Sequence, residues 1–194
     1  MRWHEANPRR RPRSREERPA ILVYCGALRT ERDYFTGLKR ALGRTAVTVE
    51  VRGDGKSPKQ LVRRAAEFRD QRPGKFTEVW CVVDVDEFDI AAAIAEATRE
   101  RIHMAVSNPC FELWLLLHHA DCRAHCAGYS EVAARLKKYV PTYDKSRLDF
   151  TVYAAGVSDA IKRARDLAPP PGEPLRNPST SVWRLVETIM ENAS

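Results

Sequence analysis

Asp84 and Asp86 stand two residues apart at the end of the run Glu78-Val79-Trp80-Cys81-Val82-Val83, and Glu87 follows directly. Side chains at i and i+2 of an extended strand point to the same side, so the two carboxylates can aim at one point. Carboxylates held that close repel each other, and a hard divalent cation such as Mg²⁺ relieves the repulsion through oxygen coordination. A strand followed by a solvated acidic turn has the same pattern. The residue types leave both readings open.

Glu112 opens the segment Glu112-Leu113-Trp114-Leu115-Leu116-Leu117. A carboxylate beside so apolar a stretch needs a partner or a metal, unless it merely complements the positive end of a helix. His118, His119, Cys122, His125 and Cys126 concentrate a second set of ligand-type side chains. On a continuous helix His118, Cys122 and Cys126 would share a face, and all are zinc-ligand types. Their spacing matches no closed zinc knuckle, so zinc is not expected. Asn177-Pro178-Ser179-Thr180 offers polar side chains and helix-start amides that suit a phosphate, and equally a plain capping turn. There is no GxSxG elbow, and Cys110 has no recognisable triad.

The elements that must position these groups follow from hydrophobic periodicity. Ala20 to Cys25 is a short apolar run, read as a buried strand. Thr30 is placed to cap a helix whose Tyr34, Phe35, Leu38, Ala41 and Leu42 form one apolar face, with Gly43 as its stop. Val47 to Val51 alternates as a second strand, and Ser57-Pro58 begins a helix with Leu61, Val62, Ala65 and Ala66 inward. The Glu78–Asp84 strand, a helix from Asp89 to about Glu100 and a strand from Ile102 to Val106 continue the alternation. The Asn108–Pro109 turn then feeds a nearly all-apolar helix. Strict alternation with short loops implies a parallel sheet with right-handed crossovers. Further helices are expected over Glu131–Val140 and Val157–Leu167. The last helix is expected to carry Val182, Leu185, Val186 and Ile189 inward, with Ser179 or Thr180 as its cap.

The chain of 194 residues is 43% hydrophobic and 30% charged, which suits one folded domain over residues 19–194. Its longest apolar run, Leu113–Leu117, is far too short to span a membrane. No apolar leader opens the sequence, and five cysteines are an odd number, so a reduced, cytoplasmic protein is expected. Residues 1–18 hold seven arginines against three glutamates, a net +4 of the chain's formal +7. Such a Pro- and Arg-rich tail is expected to be disordered and able to touch nucleic-acid phosphates.

Four segments together resemble the RloB family, small proteins of microbial defence loci often found beside an AAA-type ATPase. They are Thr30-Glu31-x-x-Tyr34-Phe35, Asp84-Val85-Asp86-Glu87, the stretch Ser107-Asn108-Pro109-Cys110-Phe111-Glu112-Leu113-Trp114-Leu115-Leu116-Leu117-His118, and Asn177-Pro178-Ser179-Thr180. Thr30, Asn108 and His118 belong to the shared motifs. The resemblance implies a Toprim-like Rossmannoid three-layer sandwich, α/β in class, with a central mostly parallel sheet of about four strands and an extra C-terminal helical part. It also implies a Mg²⁺-dependent (or Mn²⁺-dependent) nuclease acting on RNA or DNA in anti-phage defence.

One position departs from that pattern. Family members usually carry glutamate after the cysteine of the first strand, and this chain has Gly26 there. Under the catalytic reading, Asp84 and Asp86 hold the metal and Glu31 or Glu112 supplies the missing carboxylate. Lys56, Lys145, Arg176, Asn177, Ser179 and Thr180 are then the phosphate-binding candidates. Under the alternative, the chain is a non-catalytic subunit binding nucleotide or nucleic acid. An ATPase partner and a homodimer are the assemblies to look for.

Overall fold

The computed structural model describes residues 20–26, 29–43, 48–53, 57–85, 90–167 and 176–192. The expected tail, Lys56, Asp86 and the Asp89 cap lie outside these residues. Four strands alternate with helices at first: β1 (Ala20–Cys25), α1 (Thr30–Ala41), β2 (Thr48–Gly53), α2 (Pro58–Asp70), β3 (Glu78–Asp84), α3 (Ile90–Glu100), β4 (His103–Asn108) and α4 (Glu112–Leu117). Then come α5 (Tyr129–Leu136), α6 (Thr151–Ala154), α7 (Val157–Leu167), β5 (Ser179–Thr180) and α8 (Val182–Glu191).

The strands form one sheet in the order β2-β1-β3-β4-β5. Strands β1 to β4 are parallel, as the alternating pattern requires, and β5 runs antiparallel to β4. Alternate side chains of the buried strands feed two cores. Ile21, Val23, Cys25, Trp80 and Val82 pack under α1, α4, α5, α7 and α8. Leu22, Tyr24, Val79, Cys81 and Val83 pack under α2 and α3. Helices on both faces are why β1 and β3 read as unbroken apolar runs rather than as alternating ones. The chain is thus an α/β three-layer, Rossmann-like fold. No described helix is long and apolar enough to cross a membrane.

Three local expectations are corrected. Thr30 does not cap α1; its hydroxyl donates to the carbonyl of Lys145 at 2.9 Å, a tertiary bond between residues far apart in the chain. Ser179 and Thr180 form β5 rather than a simple capping turn; Thr180 Oγ1 lies 2.9 Å from Ser107 Oγ and still accepts from the Val182 amide, the first of α8, at 3.3 Å. Ser181 takes the position before α8 and also accepts from the Val106 amide through Oγ at 2.8 Å. Finally, the helix after Phe111 stops at Leu117, so His118, Cys122 and Cys126 do not share a helical face. The Gly43 stop is as expected: its φ of 71° is left-handed, which glycine adopts without a side-chain clash.

Candidate functional site

The chain passes from β1 outward to β2 and then crosses to β3 on the other side of β1. This reversal opens a crevice beyond the carboxyl ends of β1 and β3, the usual ligand position in an open α/β sheet. Cys25 and Gly26 end one wall, and Asp84 ends the other. The Gly26 amide donates to Val82 O at 2.9 Å, and the Val85 amide donates to Ser107 O at 2.8 Å, so the pairing continues to the rim.

Asp84 alternates in step with Trp80 and Val82, which places it on the α1 and α4 side of the sheet. Glu31, in the first turn of α1, and Glu112, at the start of α4, are both buried on that side. Their charges register on neighbouring thiols. Burial, then the Glu31 carboxylate, push Cys25 well above the ordinary thiol range. Burial, then Glu112 and Asp84, do the same to Cys110. Cys110 lies between the two: Asp84 is in register with Ser107 at the end of β4, and Glu112 opens α4 two residues after Cys110. It is held as a neutral thiol, which removes it as a nucleophile.

Glu112 accepts a 2.7 Å bond from the Tyr143 hydroxyl, and both residues are buried. The partner that an apolar-flanked carboxylate demands is thus a tyrosine from a distant loop. Burial and the Glu112 charge keep that hydroxyl protonated. The same loop is tied to α1 through Thr30 and Lys145, and Asp144 Oδ1 accepts from both the amide and the hydroxyl of Ser146. Lys145 carries its ammonium 4.7 Å from the centre of the Tyr129 ring at the start of α5. Of the basic candidates, Lys145 therefore joins the carboxylate region.

The other candidates sit elsewhere or are otherwise committed. His118 is buried with both ring nitrogens engaged: Trp114 O lies 2.9 Å from Nδ1, and Tyr34 Oη lies 3.0 Å from Nε2. The carbonyl accepts only, so Nδ1 carries the proton and the tyrosine donates to Nε2. Asn177 accepts from the Cys126 amide at 3.0 Å and donates to the Cys126 carbonyl at 2.9 Å, clamping that loop as a strand would. Asn108, Ser179 and Thr180 are buried along the β4–β5 edge, and Arg176 is exposed at its approach. The Asn108–Pro109 and Asn177–Pro178 peptide bonds are cis. Cys122 and Cys126 place their sulfurs 3.6 Å apart, with Arg135 Nη1 at 3.2 Å from Cys122.

The cation that the resemblance implies is tested by the donor set. Among the described residues no three ligand-type side chains converge as a ready cage. Asp84 is a hard oxygen donor at the carboxyl end of β3, and Glu112 is a second carboxylate buried on the same side of the sheet, near enough to act on a metal-bound water. Mg²⁺ commonly takes one or two carboxylates and completes its octahedron with waters and substrate phosphates. The residues present fit that mode. A cavity of about 430 Å³ between α1 and α6, lined by Asp33, Gly37, Leu148 and Phe150 among others, contains neither Asp84 nor Glu112 and is not this site.

Tyr129 and Tyr143 were not legible as site residues from sequence. Their only signal is that an apolar-flanked Glu112 must find a donor, without indication of which one. Residues 21–189 match the family described as RloB-like protein. Neither the comparison with curated proteins nor that with solved structures gave a match.

Proposed function

The chain belongs to the RloB-like protein family, and from that premise we propose that it is the phosphodiester-cleaving subunit of a defence system. The supporting observation is that Asp84, at the carboxyl end of β3, lies in register with Ser107 of β4, and that the buried Glu112 opens α4 just beyond β4 on the same side of the sheet, beside the crevice between β1 and β3. When bound there, Mg²⁺ or Mn²⁺ would stabilise charge on the phosphodiester and favour ionisation of an attacking water. Asp84 and Asp86 would hold the ion. Glu112, oriented by Tyr143, would accept a proton from water, while Lys145 would draw a phosphate to the rim. Glu31, buried beside Cys25, is the second carboxylate that could serve in place of the one missing at Gly26. An AAA-type ATPase partner would control access to the nucleic acid.

A second reading has an observation of its own. Gly26 carries no carboxylate at the end of β1, which supports a subunit that binds nucleotide or nucleic acid and signals without cleaving.

One experiment separates the two. Purified chain, alone and with its partner ATPase, is incubated with tRNA, single-stranded DNA and duplex DNA in Mg²⁺ or Mn²⁺. The first reading expects cleavage that is lost in Asp84→Ala and in Asp84→Ala/Asp86→Ala. Cleavage that survives the double substitution rejects these aspartates as the essential site. Nucleic-acid binding with neither cleavage nor metal binding under any condition selects the second reading.

A further inference from the structure

Tyr129 is a large aromatic residue left 38% exposed at the start of α5. Its surroundings place it on the rim of the candidate site. Burial, then the Glu112 charge, raise its hydroxyl above the usual tyrosine value, and Cys110 and Asp144 act in the same direction. Tyr143 bonds Glu112, and Lys145, two residues on, brings its ammonium to the Tyr129 ring, so the same loop joins the ring to that carboxylate. Above the ring stands the Lys145 ammonium, 4.7 Å from its centre.

The pair is built rather than incidental. Tyr129 is the first residue of α5, whose Val132, Ala133 and Leu136 are buried. Lys145 sits on a loop anchored at two points, where Tyr143 bonds Glu112 and Thr30 bonds the Lys145 carbonyl, and braced internally by the Asp144–Ser146 bond. Two independently anchored segments thus present an aromatic face and a cation at one edge of the carboxylate region.

An exposed aromatic face next to a lysine matches the two parts of a nucleotide. The ring offers a stacking surface to a base, and the ammonium attracts the adjoining phosphate. A base already stacked inside a duplex has no free face to offer, whereas an unpaired base does. We infer that Tyr129 and Lys145 form a clamp that seats an unpaired nucleotide of single-stranded nucleic acid beside the Asp84 and Glu112 carboxylates. The inference rests on the proposed phosphodiester site and narrows its substrate to unpaired strands.

The test is a binding titration of the full chain in a chelator, so that no phosphodiester is cut. Probes are a fluorescently labelled single-stranded oligonucleotide and the duplex of the same sequence. Wild type should favour the single strand. Tyr129→Ala should weaken single-strand binding by about 5- to 100-fold, the range for loss of one stacked base. Its duplex affinity should change less than twofold. Tyr129→Phe should bind like wild type, because the ring and not the hydroxyl is used, and Lys145→Ala should weaken single-strand binding as well. The arginine-rich tail, common to every variant, cancels from these ratios. Equal loss on both probes, no loss in Tyr129→Ala, or no binding of the single strand overturns the clamp. Dependence of cleavage on Asp84, measured separately in Mg²⁺, can stand when the clamp fails, so the two failures are distinct.

Discussion

The Tyr34 hydroxyl lies 3.0 Å from His118 Nε2 and joins the middle of α1 to the residue that follows α4. Burial lowers the histidine to about 4, so the neutral ring is the one the fold requires. An unfolded chain takes up that proton near a pKa of about 6.5. The stabilisation from His118 is complete above that value and is lost as pH falls from there through about 4. Its size is on the order of 3 kcal/mol. Urea unfolding of wild type and His118→Gln between pH 7.5 and 4.5 should show a shallower pH dependence in the variant. Tyr34→Phe, which leaves Nε2 buried without its donor, should cost about 1–3 kcal/mol at neutral pH.

Two glycines permit close packing around this contact. A Cβ at Gly37 would lie 2.2 Å from Phe150 Cβ, and one at Gly156 would lie 2.4 Å from the His118 carbonyl oxygen. Gly37→Ala and Gly156→Ala should each lower stability by about 1–3 kcal/mol through overpacking. Thermal denaturation of Gly37→Ala/Phe150→Gly should show less than the sum of the single losses, because only glycine at 150 removes the Cβ in the way. Gly156→Ala has no such rescue, because its obstacle is backbone.

Tyr143 should act on cleavage through Glu112. Tyr143→Phe removes the 2.7 Å bond while keeping the ring, so kcat should fall about tenfold with KM unchanged. Glu112→Gln should fall further. An effect of Tyr143→Phe on KM alone would assign the tyrosine to substrate binding instead. Cleavage of an oligonucleotide under steady-state conditions gives both constants.

Gly26→Glu supplies the carboxylate that the resemblance implies at the end of β1. Its Cβ would lie 3.3 Å from Val82 O, a tight contact that asks the strand to yield by a few tenths of an ångström. The variant should fold with a loss of about 1 kcal/mol. It should bind Mg²⁺ more tightly than wild type in calorimetric titration. Unchanged affinity would place position 26 outside the ligand set.

The alternation of strands and helices was legible because each parallel strand is covered on both faces and each helix on one. Those two situations leave different periodicities. Strand β5 escaped because Ser179 and Thr180 carry no period at all; their strand character comes from pairing with Ser107 and Asn108. The same limit hid the site's completion. Glu112 advertised a need for a donor, but only the folded loop shows that Tyr143 meets it, that Thr30 is spent on Lys145 rather than on capping, and that the Lys145 ammonium lies over Tyr129. Patterns along a helix or strand are local; these contacts are set by the path of the chain between elements.

The β4–β5 edge has a consequence for how the molecule is made. On the face of the sheet that carries the apolar Leu113–Leu117 run, Val182, Leu185, Val186 and Ile189 of α8 complete next to β4 the cover that α1, α4, α5 and α7 provide elsewhere. Ser181 of the connecting residue pins that closure to Val106. A nascent chain therefore keeps the apolar surface next to β4 open until residues 179–191 have left the ribosome, and that surface must be shielded from aggregation until then.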